Sequence, residues 1–156
     1  MTLKTIIIGD IIMAKSGRYS ANRFKVEALT ADKTVDVSDC GTMFMYTETA
    51  GFTTIQLPTV ADAGKGWWCR IVVEAMAGGA DVDCNIAQST SDTADIVLLR
   101  SIDGSGNAVS SIAADGATII GNTATAGDWI ELWCDGTKWY GQTFCSAAGG
   151  IIAYSA

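Results

Sequence analysis

At 156 residues, 49% of them hydrophobic and 17% charged, the chain is long enough to bury roughly 70% of its unfolded surface, so it needs neither disulfide nor metal to fold. It has no histidine, which excludes Ser-His-Asp and Cys-His nucleophilic sites and the common histidine-bearing metal centres. No apolar run approaches the ~20 residues of a membrane-spanning helix, and the net charge of −7 disfavours nucleic acid as a partner of the body of the chain.

The first apolar run, TIIIGDIIM (5–13), is short and holds Asp10, an acid that does not suit the core of a signal peptide. It reads better as an N-terminal strand or arm that packs on something. Met13, followed by AKSGRYS, has the look of a natural start, which would make residues 1–12 an extension. Charge is unevenly placed. Residues 1–33 hold six Lys/Arg against three acids, a net +3, and the rest of the chain holds four against 14, a net −10. A basic arm over 1–22 is therefore expected ahead of an acidic body, suited to an acidic partner surface or simply solvated.

From residue 24 onward the period is two. Strand-like runs fall at 24–29, 34–38, 42–48, 53–57, 67–76, 82–88, 94–102, 107–112, 117–120, 129–134, 138–144 and 151–155, with Gly- and Asp-rich punctuation between them. ADIVLLRSI (94–102) permits helix or strand. No long amphipathic helix is expected, and no repeat of fixed period, which disfavours a solenoid. The expected fold is all-β, an antiparallel β-sandwich or jelly-roll-like barrel over 23–156 that follows the arm.

Two stretches can be taken down to faces. In WWCRIVVE, Trp67, Cys69, Ile71 and Val73 form an apolar set for the core, and Trp68, Arg70, Val72 and Glu74 point the other way. In WIELWCDGTKWYG, Asp135-Gly136 reads as a two-residue hairpin loop. Leu132 then faces Trp139 and Ile130 faces Gly141. The opposite face gathers Trp129, Glu131, Trp133, Lys138, Tyr140 and Gln142, with Lys138 across from Trp133 for a cation–π contact. A three-residue bulged loop would instead shift the register by one and set all three tryptophans on one face. Both registers fit the sequence.

The side-chain chemistry points away from catalysis. Five cysteines (Cys40, Cys69, Cys84, Cys134, Cys145) include no C-x-x-C pair and read as reduced and mostly buried, consistent with a cytosolic setting. Asp128 with Glu131, and Asp92 with Asp95, offer carboxylate pairs that nothing separates from an acidic surface. DGSGN (103–107) spaces oxygen side chains like a calcium loop but lacks the closing bidentate acid, so a hairpin turn suits it better. Neither P-loop, dinucleotide fingerprint nor G-x-S-x-G elbow is present, and no cofactor or metal is expected.

Two segments, TTIQLP…ADAGKGWWCRIVV (53–73) and TAGDWIELWCDGTKWYG (125–141), give the chain a resemblance to a β-module of tailed-phage virion structural proteins, the capsid decoration (cement) and head-fibre type. In that module a T-I-x-L-P strand leads through a Gly-rich turn to an aromatic strand, and an S-D-G-T-x-W-Y hairpin follows. Here these are Thr54–Pro58, Gly64–Val73 and Cys134–Tyr140, with Cys in place of Ser. The resemblance covers roughly 34–145 and leaves the arm unmatched. It implies a non-catalytic virion protein assembled in a bacterial cytoplasm, a homotrimer or other small symmetric oligomer, with the major capsid protein as partner.

Two uses of the aromatic residues are expected from this. A decoration protein would bury Trp68, Arg70, Trp129, Trp133 and Tyr140 in an oligomer or capsid interface, a composition that interface centres favour. Its arm would lay Lys15, Arg18, Tyr19 and Arg23 along the shell. A fibre or receptor-binding module would instead stack the rings on host glycans. A third reading has the tryptophans simply filling a β-core.

Overall fold

A computed structural model describes residues 24–49, 54–76, 83–92, 96–102, 108–109, 117–121, 123–147 and 149–154. The proposed arm, with Lys15, Arg18, Tyr19 and Arg23, lies outside the described residues, as does DGSGN.

The described chain is all-β, with twelve strands in two open sheets. They are β1 (Lys25–Leu29), β2 (Lys33–Thr34), β3 (Thr42–Thr47), β4 (Thr54–Gln56), β5 (Lys65–Ala75) and β6 (Cys84–Ala87), then β7 (Ile96–Ile102), β8 (Ala108–Val109), β9 (Ala117–Ile120), β10 (Trp129–Asp135), β11 (Trp139–Phe144) and β12 (Ile151–Tyr154). One sheet has the order β1-β3-β5-β10-β11-β7-β8 and the other β12-β9-β6-β4-β2. Their inward side chains form one core cluster, in which Phe44, Ile71, Leu132 and Trp139 of the first sheet join Ile55, Ile86, Ile120 and Ile151 of the second. The strict alternation of buried and half-buried residues along β3, β5, β10 and β11 is the period-two pattern made physical.

The expectation of antiparallel sheets is corrected. The pairings β1–β3, β3–β5, β2–β4, β4–β6 and β11–β7 are parallel. The cause is the path of the chain, which alternates between the sheets from β1 to β6. Each crossing and return brings the next strand back beside the last one, running the same way. These are three turns of a wound chain, a solenoid-like passage. It leaves no fixed period because the successive strands of the first sheet start at Lys25, Thr42 and Lys65, unequally spaced. The pairings β5–β10, β10–β11, β7–β8, β6–β9 and β9–β12 are antiparallel.

Locally, two segments differ from expectation. The run TVDVS (34–38) keeps only Thr34 as strand, the end of β2, because Asp36 accepts from Ser38 N and Asp39 accepts from Asp36 N, closing a capping box around a 3₁₀ turn at Val37–Asp39. A short helix, α1 (Val60–Ala63), sits between β4 and β5, with Thr59 Oγ1 accepting from Asp62 N at 3.0 Å. The ambiguous run at 96–102 is strand. A charge cluster fixes the β1 edge: Lys25 donates to Asp39 at 2.6 Å, and Lys33 donates to Glu27 at 2.7 Å.

Candidate functional site: the outer face of the seven-stranded sheet

The hairpin that joins β10 to β11 sets the site. Asp135 N–H donates to Lys138 O at 3.2 Å, so the two-residue loop is Gly136-Thr137, one position later than Asp135-Gly136. Gly136 takes φ +91°, a left-handed conformation that glycine adopts without the strain of a β-carbon. Asp135 Oδ1 accepts from Thr137 N, Thr137 Oγ1 and Lys138 N at 2.7–2.8 Å, and Tyr140 OH donates to Oδ2 at 2.9 Å. These bonds, the Thr137 hydroxyl first, hold the Asp135 carboxyl well below the usual carboxylate range. Hydrogen bonding to the same carboxylate raises the Tyr140 phenol.

Moving the loop by one position moves the register by two. Leu132 pairs with Gly141, Trp133 with Tyr140 and Cys134 with Trp139, in place of the expected Leu132–Trp139 and Ile130–Gly141 pairs. Because side chains alternate with period two, every face survives the change while every partner differs. Trp139 is fully buried and meets Trp67 edge-on at 5.3 Å, so the three tryptophans of the hairpin do not share a face. The expected Lys138–Trp133 contact is absent, because Tyr140 stands across from Trp133 instead.

All five interface candidates lie on one surface. Trp133 is the cross-strand partner of Trp68, and Glu131 that of Arg70, so the outward faces of β5, β10 and β11 are continuous. Three rows cross the strands. The first holds Trp68, Trp133 and Tyr140, with Trp133 and Tyr140 stacked 18° from parallel at 6.2 Å and Phe24 edge-on to Trp68 at 5.8 Å. The middle row runs Val26, Met43, Arg70, Glu131, Gln142. The third runs Ala28, Met45, Val72, Trp129, Phe144.

At the centre Arg70 and Glu131 form an ion pair through both Nε, at 3.0 Å, and Nη2. The guanidinium also lies 4.8 Å from the Trp129 ring centroid, a cation–π contact that orients it toward the third row, where Trp129 stacks on Phe144. Phe24, Val26 and Phe144 are 59%, 61% and 46% exposed. Sequence reasoning missed Phe24, Val26, Met43, Met45 and Phe144. Phe24 and Val26 have the same parity along the chain, but only the parallel β1–β3–β5 pairing brings them beside Trp68 and Arg70.

The tryptophan readings divide accordingly. Trp67 is core, its Nε1 donating to Val37 O at 3.0 Å, while Trp68, Trp129 and Trp133 are half-buried on the outer face. Asp128 and Glu131 do not form a working pair: Asp128 is buried and accepts from Thr125 N and Ser146 N, whereas Glu131 is on the outer face with Arg70. Asp92 accepts from Val60 N at 2.7 Å, and Asp95 lies outside the described residues. Among the described residues no His/Cys/Asp/Glu cluster could hold a metal, and no helix is long and apolar enough to cross a membrane. The surface is dominated by rings, and the cation and anion at its centre, Arg70 and Glu131, are paired with each other. No family model, curated protein or solved structure matches this chain.

Proposed function

We propose that this chain is a non-catalytic structural protein of a tailed-phage virion, a capsid decoration (cement) protein that assembles in the host cytoplasm and binds and stabilises the finished shell. The observation that carries this reading is the outer face of the seven-stranded sheet. It is a continuous aromatic and apolar surface with a neutral ion pair at its centre, carried on an acidic body. Trp, Tyr, Phe, Met and Arg dominate it, the types enriched where proteins meet proteins.

The motifs behind the resemblance add support. Thr54–Gln56 is β4, Lys65–Ala75 is β5, and the Cys134–Tyr140 turn joins β10 to β11, so both aromatic strands of the module lie side by side. Two open sheets around one core cluster fit a mixed-sheet sandwich better than a jelly roll, whose strands would be antiparallel.

A protein that binds only the assembled shell stabilises it by mass action. The partners on this reading are the major capsid protein and further copies of the chain, as a trimer or another small symmetric oligomer, with neither nucleic acid nor membrane. The test is co-sedimentation with tailed-phage shells stripped of accessory proteins, with residues 1–22 present and absent. Saturable binding that needs the arm is the expected result. Binding to no shell would overturn it, and a glycan array would then probe the fibre alternative, in which the same rings stack on sugars.

A further inference from the structure

We infer that the occupant of the aromatic outer face is the same face of a second copy, joined about a two-fold axis that runs parallel to the strands between β5 and β10. The inference rests on the reading of this face as an assembly surface and adds the partner and the geometry.

The charge pattern selects both. Arg70 and Glu131 are direct cross-strand neighbours at the middle of the face, with an aromatic row on either side. A two-fold axis along the strands reverses the order of strands and keeps each row over itself. It sets β5 over the partner's β10, so Arg70 lies over the partner's Glu131 and the partner's Arg70 over Glu131. The result is a ring of four alternating charges. In the same operation Trp68 meets the partner's Trp133, and Val72 meets the partner's Trp129. The other in-plane axis, running across the strands, would set Arg70 over the partner's Arg70, a like-charge contact. The face is thus complementary to itself in one orientation and repels itself in the other.

The setting favours a self-contact. The chain beyond residue 33 carries a net −10, yet the Arg70–Glu131 pair at the centre of this face is neutral, so two acidic bodies meet there with least repulsion. Under this axis β3, β5, β10 and β11 lie over the partner's β11, β10, β5 and β3. Four strands spaced about 4.8 Å apart, by about 17 Å of strand length, give roughly 330 Å² in projection per copy. A pair therefore buries roughly 650 Å² or more, the weak end of association, so the dimer is expected to depend on concentration.

The test uses charge reversal in the full chain, followed by analytical ultracentrifugation, with thermal melts to show each variant folded. Wild type is expected to form an even-numbered assembly at high micromolar concentration. Arg70→Glu alone and Glu131→Arg alone should weaken it at least ~10-fold. The double variant R70E/E131R restores both the internal pair and the contact between copies, so it should assemble with itself. Mixed with differently tagged wild type it should not, because each contact between copies then joins like charges. Wild type that stays monomeric at all concentrations, forms only trimers, or mixes freely with the double variant overturns the inference. Shell co-sedimentation is read separately. A chain that pairs as described but binds no shell keeps this inference and overturns the decoration reading, and a chain that binds shells only as a monomer does the reverse.

Discussion

Trp67 and Trp68 are adjacent in sequence and point to opposite sides of β5, so replacing each with alanine should give opposite phenotypes. Trp67 is 3% exposed, edge-on to Trp139, and donates its indole N–H to Val37 O. Truncating a buried Trp to Ala costs about 3–5 kcal/mol, and the lost hydrogen bond adds about 1 kcal/mol. In a domain of this size each kcal/mol lowers Tm by roughly 2–4 °C, so Trp67→Ala should melt roughly 8–24 °C lower. Trp68 is half-buried, touches Phe24 edge-on and stands across from Trp133. Losing such ring contacts costs about 0.5–1.5 kcal/mol within one copy, a Tm change of only a few degrees. If it anchors an interface, its removal costs about 2 kcal/mol or more of association, roughly a 30-fold weaker Kd. Thermal melts beside sedimentation equilibrium read the two effects separately. Equal loss of Tm in the two variants would refute the assignment of faces. Unchanged assembly in Trp68→Ala, together with Trp133→Ala, would refute the interface.

Three further predictions concern stability. Glu27, held down by its hydrogen bond from Lys33, and Asp39, where bonds from Lys25 and Asp36 N outweigh an opposing burial effect, both have lowered pKa values. Their contribution is fully present above the unfolded carboxylate range near ~4 and lost as pH falls through the folded values. Tm should therefore drop on acidification below about pH 4, and Lys25→Met with Lys33→Met should flatten that drop; an unchanged acid profile would remove the cluster's role. Asp128→Ala strands the N–H groups of Thr125 and Ser146 that bond its carboxylate at 2.9 and 2.8 Å, and should cost about 2–4 kcal/mol by denaturant melt, with Asp128→Asn costing less. Cys40 is exposed and should react with a thiol reagent at once. Cys69 and Cys84, whose thiols burial pushes up (Cys84 to about 12), should react only on unfolding, as mass spectrometry of timed samples would show.

The faces of β5, β10 and β11 were readable residue by residue because the alternation of a strand is a local property. It assigned Trp67 inward and Trp68 outward with no knowledge of any neighbour. It even survived an error in the hairpin, since a loop displaced by one position shifts pairing by two and leaves each side chain on its side. The partners did not survive: Tyr140 rather than Lys138 stands across from Trp133, because the Asp135 carboxylate gathers Thr137, Lys138 and Tyr140 and centres the turn on Gly136-Thr137. The same competition between side-chain oxygens and the strand ladder turned Val37–Asp39 into a 3₁₀ turn.

Alternation, composition and turn residues thus determined by themselves that this chain is all-β, where most of its strands lie, and which sides of β5, β10 and β11 face the core. Only the tertiary structure decided that the sheets are mixed, and that five separately legible residues share one face with Phe24, Val26 and the two methionines of β3. The reason is physical. Burial period is written into every few residues, whereas strand order depends on which sheet each crossing enters, a choice made by packing between segments far apart in the chain.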